Sequence, residues 1–98
     1  MAVIIVFDIP GGTQAQYEEV TNKMTGGRGI VKSSSDWPAP GLISHCAGPG
    51  PDGWHVTDVW ESKEAFQRFV EKLAPLMRDA GMPEAEPKIY EAFNVVTS

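Results

Sequence analysis

Along residues 2 to 8, AVIIVFD, apolar side chains occupy both parities: Val3, Ile5 and Phe7 alternate with Ala2, Ile4 and Val6. That is the pattern of a β-strand covered on two faces, and Pro10-Gly11-Gly12 closes it. The period then changes. Thr13 followed by Gln16 is a capping-box signature, and Tyr17, Val20, Thr21 and Met24 recur at helical spacing, which predicts a helix to about Met24, ended by Gly26-Gly27. Residues 26 to 41, GGRGIVKSSSDWPAPG, have no period and are rich in Gly, Pro and Ser, so they predict a long irregular connection, either a flap over a ligand or a surface loop.

A second strand is expected at about Leu42 to Ala47, the dense turn chemistry of residues 48 to 53 reverses the chain, and Trp54 to Glu61 returns as the other arm of a hairpin. The turn type stays open, and with it the residue that faces His45. Ser62 caps a second helix that carries Phe66, Phe69, Val70, Leu73, Leu76 and Met77 on one face and charged side chains on the other. Pro75 is expected to kink that helix or restart it near Ala74, and Gly81 with Pro83 stops it. Pro87 to Val96 reads as the last strand.

The order β-α-β-β-α-β defines an α+β, ferredoxin-like fold: a four-stranded antiparallel sheet with both helices on one face, spanning residues 1–98 as one domain. Two helices cover one side of the sheet. On the other, the first strand and the last, where Ile89, Phe93 and Val95 alternate with Tyr90, Ala92 and Val96, leave apolar side chains uncovered. A second copy pressed sheet to sheet is the expected cover, so a homodimer is predicted. Length points the same way, because a folded monomer of this size buries only about 64% of its chain's surface.

Charge removes two classes of partner. Eight Lys plus Arg against 13 Asp plus Glu give a net charge of −5, a field that repels phosphate backbones and anionic bilayers, so neither nucleic acid nor a membrane is expected. No apolar run approaches the roughly 20 residues of a membrane-spanning helix. A lone Cys46 and an N-terminus without a basic leader region suggest a cytoplasmic protein.

The segment VTDVWESKEAF, residues 56 to 66, resembles the dimeric α+β barrel superfamily, in particular its antibiotic-biosynthesis-monooxygenase-like group, where a strand running into W-E-S-x-x-A-F and a helix recurs. GLISHCAGP at 41 to 49, Asp52-Gly53-Trp54 and Phe93-Asn94-Val95-Val96 are similar to small, mostly uncharacterised members. The resemblance implies a dimeric barrel in which Trp60 lines a substrate pocket between sheet and helices; the alternative is that a Trp at a strand end before a capped helix fills core volume alone. It also implies oxygenation of an aromatic or polyketide-like molecule without metal or organic cofactor, or cyclisation or isomerisation of one. Quinone-forming members carry a pocket Asn four residues before the Trp and a Tyr six after it; those places hold Val56 and Phe66 here, which join the candidate substrate-binding residues while departing from that constellation. Haem-degrading members ligate iron through a His on the second helix, and residues 62 to 81 contain none, so haem degradation is the less favoured activity. The alternative to an enzyme is a non-catalytic small-molecule-binding or assembly dimer.

With Trp60 facing the pocket, strand alternation brings Asp58, Val56 and Trp54 to the same face. Asp58 is either a base or ligand anchor in an apolar cavity, or a strand-end carboxylate bonded to local backbone. His45 and His55 are the two histidines able to act as general bases near neutral pH. By parity His55 points to the dimer side or the rim; His45, whose parity is open, is the pocket candidate of the two, or else a satisfied structural or surface histidine. Tyr17 is placed to hold its hydroxyl over the pocket from the first helix, or simply to pack there, and Tyr90 approaches from the last strand. Arg28 and Trp37 close over a ligand or remain solvent-facing loop residues. Two histidines and one cysteine are too few for a structural zinc site, and no metal or cofactor is expected.

Overall fold

The computed structural model describes residues 1–27, 29 and 31–97. β1 (Val3–Pro10) buries Val3, Ile5, Phe7 and Ile9 on one face. α1 (Gln14–Met24) starts at Thr13, whose hydroxyl accepts from the Gln16 backbone N–H while the Gln16 side chain accepts from the Thr13 N–H, the reciprocal cap expected from the sequence. β2 (Leu42–Pro49) and β3 (Gly53–Trp60) form the hairpin, α2 (Lys63–Asp79) follows its Ser62 cap, and β4 is Lys88–Glu91. The antiparallel sheet has the order β2-β3-β1-β4, the ferredoxin-like arrangement.

Two elements sharpen the expectations. α2 runs unbroken through Pro75, so of a kink and a restart near Ala74 the restart is not seen. Pro75 and Glu71 are both exposed, so the Glu71 carbonyl that loses its helical N–H partner faces water. β4 ends at Glu91, well short of Val96. It runs antiparallel to β1, pairs from Lys88 opposite Val6 to Glu91 opposite Val3, and makes a last bond from the Ala92 N–H to the Ala2 carbonyl. Phe93 and Val96 lie exposed beyond it.

Between β2 and β3 a bulge decides the geometry of the site. Leu42 faces Trp60 and Ser44 faces Val59, so Ile43 is an extra residue that inverts the alternation of β2. Leu42 packs against the core before the bulge, and after it His45 faces inward, opposite Asp58. A regular strand with Leu42 inside would have turned His45 outward. At the other end of the hairpin Gly53 starts β3 so close to β1 that a Cβ there would lie 2.1 Å from the Ile9 carbonyl oxygen; only glycine permits that approach.

The core lies between the sheet and the two helices, where Ile5, Trp60, Phe66 and Phe69 are almost wholly buried, each such side chain contributing about 1.5–3 kcal/mol of hydrophobic stabilisation. The opposite sheet face is bare. Ile4, Val6 and Val59 are only partly covered there, and the chain exposes 5968 Å², against roughly 5,500 Å² expected for a monomer of its mass. No helix among the described residues is long and apolar enough to cross a membrane.

Candidate functional site

His45, brought inward by the bulge, and Asp58, directly across the hairpin, meet with Nδ1 and Oδ1 2.5 Å apart. On the other side of the imidazole the Tyr17 hydroxyl, from the inward stripe of α1, lies 2.6 Å from Nε2. A carboxylate only accepts, so Nδ1–H donates to Asp58, and in the neutral ring Nε2 is left to accept from Tyr17. The remaining carboxylate oxygen, Oδ2, accepts from the Trp60 indole N–H at 3.2 Å. The result is a continuous chain Tyr17–His45–Asp58–Trp60, with Asp58 only 2% exposed. Burial of this kind strengthens each bond electrostatically and fixes the imidazole tautomer.

Burial pushes the Tyr17 hydroxyl up to about 12, with the charges of Asp58 and Cys46 adding to the rise. Because the unfolded chain gives up this proton first, stability should fall as the pH rises from about 10 to 12 and be unaffected by this group below that window. Tyr17→Phe removes that slope. Urea melts across the alkaline range should therefore show a steeper loss of stability for the wild type than for Tyr17→Phe; parallel curves would contradict the buried-phenol assignment.

Apolar and aromatic side chains enclose the chain of hydrogen bonds. Tyr17, His45, Val56 and Asp58 line one pocket with Trp37, Trp54 and Phe69. Trp54 tilts on Tyr17 at 5.2 Å between ring centroids, and Trp37 on His45 at 4.5 Å, so two indoles bracket the Tyr17–His45 pair. Both indole N–H groups are buried without an acceptor, each an arrangement that costs about 1–3 kcal/mol if nothing fills it. The free volume is about 50 Å³, room for a water molecule or so and well below the roughly 300–1,000 Å³ of drug-sized sites. A groove of about 460 Å³ adjoins it along the end of α2 and shares Phe7, Leu73, Met77 and Met82 with its wall. Methionines are the easiest of core side chains to repack, so this wall is where the pocket can widen.

The structure thus gathers Tyr17, His45, Asp58 and Val56 at one site. Asp58 bonds two side chains instead of strand-end backbone. Trp60 and Phe66 do not reach this pocket. Trp60 is 0% exposed and outside the pocket wall, because it ends β3 beneath the start of α2, where it stacks on Phe69 at 4.9 Å and meets Phe66 edge-on at 6.0 Å. Phe66 is buried between Trp60 and Phe7 and likewise does not reach the cavity. Tyr90 is a third: it pairs with Ile4 on the bare sheet face, 52% exposed and turned from the helices.

His55 is on that bare face too, as its parity requires, bonded to Asp8 at 2.7 Å and to Thr57 at 2.6 Å. Trp37 is folded onto His45 and Phe69, while Arg28 lies outside the described residues. Met82, just past the second helix, had no signal in the helical period and enters the wall through the turn at Gly81. No group of three metal-ligating side chains converges among the described residues.

The fold and site define a ferredoxin-like α+β protein with a hydrogen-bonded Tyr-His-Asp chain set in an aromatic pocket. Among solved structures it is similar to SnoaB, a cofactor-independent oxygenase from Streptomyces nogalater: 18% identical, with 99% of this chain and 96% of that chain covered and a TM-score of 0.54. A mutant of SnoaB superimposes over the same extents at 18% identity with a TM-score of 0.56. At this identity the likeness establishes the shared fold. No protein-family model matches the chain, and no curated protein does.

Proposed function

We propose that the protein is a cofactor-independent oxygenase of an aromatic, polyketide-like molecule that carries an acidic hydroxyl and an activated ring methylene. The observation that carries this reading is the Tyr17–His45–Asp58 chain inside an apolar pocket. Such a substrate needs only to lose a proton before it can pass an electron to O₂. Asp58 has both oxygens engaged, by His45 and Trp60, so His45 Nε2 is the acceptor and Asp58 orients the ring and stabilises the imidazolium. Tyr17 already occupies Nε2, and its hydroxyl relays the proton, giving its own to His45 as it takes the substrate's. Recombination of the substrate radical with superoxide at the methylene carbon, followed by loss of water, converts CH₂ and O₂ to C=O and H₂O. The same deprotonation serves cyclisation or isomerisation when O₂ is not consumed. The likeness to SnoaB supports the oxygenase among these.

A panel of phenolic aromatics followed with an oxygen electrode, corrected for spontaneous oxidation, tests the assignment. One O₂ consumed per ketone formed supports it; substrate bound with no O₂ uptake and no other product supports the second reading, a non-catalytic binding or assembly dimer. That second reading draws on the small free volume of the pocket.

We further propose that the partner is a second copy on the bare sheet face, where Ile4, Val6, Val59 and Tyr90 lie together. A specific interface needs about 800 Å² from each partner. Val6→Asp places a charge in the middle of that face and should convert a dimer at micromolar concentration to a monomer by sedimentation velocity. A wild-type monomer, or a Val6→Asp dimer, would contradict this interface.

A further inference from the structure

We propose that the Asp8–His55–Thr57 chain makes the pairing of two copies pH-dependent: a proton on His55 holds the copies together and its loss releases them. The inference rests on the second-copy reading above and adds its regulation. β1 and β3 are the two middle strands of the sheet, and on the bare face Asp8 lies opposite His55, with Thr57 two residues further along β3. His55 Nδ1 is 2.7 Å from Asp8 Oδ1, and Nε2 is 2.6 Å from the Thr57 hydroxyl, so both ring nitrogens are engaged. In one copy alone the pair is wet. The Asp8 side chain is 58% exposed and that of His55 38%, and among the described residues Oδ2 of Asp8 has no side-chain partner, which leaves it to water.

The pair lies next to Val6, the middle of the proposed interface, so a second sheet laid there removes that water. A carboxylate stripped of water is costly unless a cation is paired with it. Neutral His55 offers Asp8 one N–H and no charge. Protonated His55 makes the same bond as an ion pair, and its Nε2–H turns to donate to the Thr57 oxygen, so the change strands no polar group. The other groups around His55 supply no alternative cation. β2 brings Gly48 opposite His55 and the Cys46 thiol opposite Thr57, and the turn between β2 and β3 brings Asp52, which shares a surface groove with Asp8. Lys88 is on β4, opposite Val6 and across β1 from His55. Pairing therefore takes up protons, at most one per copy. Histidine is the side chain that ordinarily changes charge between about pH 5 and 8, so the pair is tighter at the acid end of that range and loosens as the pH rises through it.

Sedimentation velocity of the full chain at fixed ionic strength, from about pH 5.5 to about pH 8.5, tests this. The dimer Kd of the wild type should rise by about 10- to 100-fold, the effect of one linked proton over one to two pH units. His55→Asn keeps a donor for Asp8 without a titrating ring and should lose most of that rise. Asp8→Asn removes the carboxylate that pairing buries, and should pair more tightly than the wild type at the alkaline end. A merely structural role would weaken the pair alike at every pH. Wild type and His55→Asn that change in parallel, a wild type that loosens in acid, or an Asp8→Asn pair no tighter than wild type in alkali would each overturn the inference and leave the second-copy reading intact. A wild type that is monomeric at every pH would overturn both.

Discussion

His45→Asn is expected to lower kcat/KM for oxygenation of a phenolic aromatic by about 10²–10⁴-fold, the range for loss of a positioned general base. The choice of Asn matters. His45 Nδ1 is 2.5 Å from Asp58, and truncation to Ala would strand a buried carboxylate oxygen, confusing loss of chemistry with loss of structure. The Asn amide can still donate to Asp58 from nearly the same position but cannot take a proton through the place of Nε2. Circular dichroism and thermal melts should stay close to wild type while turnover falls. Retained turnover in a folded His45→Asn protein would remove His45 from the role of base, whatever else the pocket binds.

Trp60→Ala carries the largest structural effect. The ring is 0% exposed, stacks on Phe69, packs edge-on against Phe66 and donates to Asp58, so its removal opens a cavity and leaves an acceptor unsatisfied. Losses of about 3–5 kcal/mol are usual for such a truncation. In a domain of this size that corresponds to a fall in Tm on the order of 20 °C, measured at fixed protein concentration. Trp60→Phe keeps much of the packing but not the N–H, and should lose about 1–3 kcal/mol while also loosening Asp58 and through it His45. If Trp60 lined the ligand site instead, Trp60→Phe would change ligand affinity more than stability. Here the opposite order is expected.

How much of this could be read along the chain depends on which interactions are local. The capping box at Thr13 and Gln16, the Ser62 cap and the apolar stripes of both helices are set by residues within a turn or two of one another, and they appear where the pattern places them. Element order then leaves the ferredoxin-like sheet as the natural arrangement. Tyr17 on the inward stripe, and Asp58 and Val56 on the inward face of β3, follow from the same periods.

What failed was long-range. The bulge at Ile43 has no signature in GLISHCAGP, yet it turns His45 from the bare face to the pocket. Parity gives Trp60 the same face as Asp58 but not its depth, and at the end of β3 that face is roofed by Phe66 and Phe69 instead of by a cavity. Tyr90 depended on the register of β4 against β1, where it falls opposite Ile4. Alternation in the last segment could not reveal that pairing with β1 would stop at the bond between Ala92 and Ala2.

The proton relay through the pocket is tested most directly by turnover of a phenolic ring-methylene substrate under ¹⁸O₂ in the presence of a strong chelator, with mass analysis of the product. One ¹⁸O atom in the new carbonyl, at a rate that falls by about 10²–10⁴-fold in His45→Asn, is the predicted result. Label incorporated at equal rates by the wild type and His45→Asn, or by both no faster than in buffer, would contradict it.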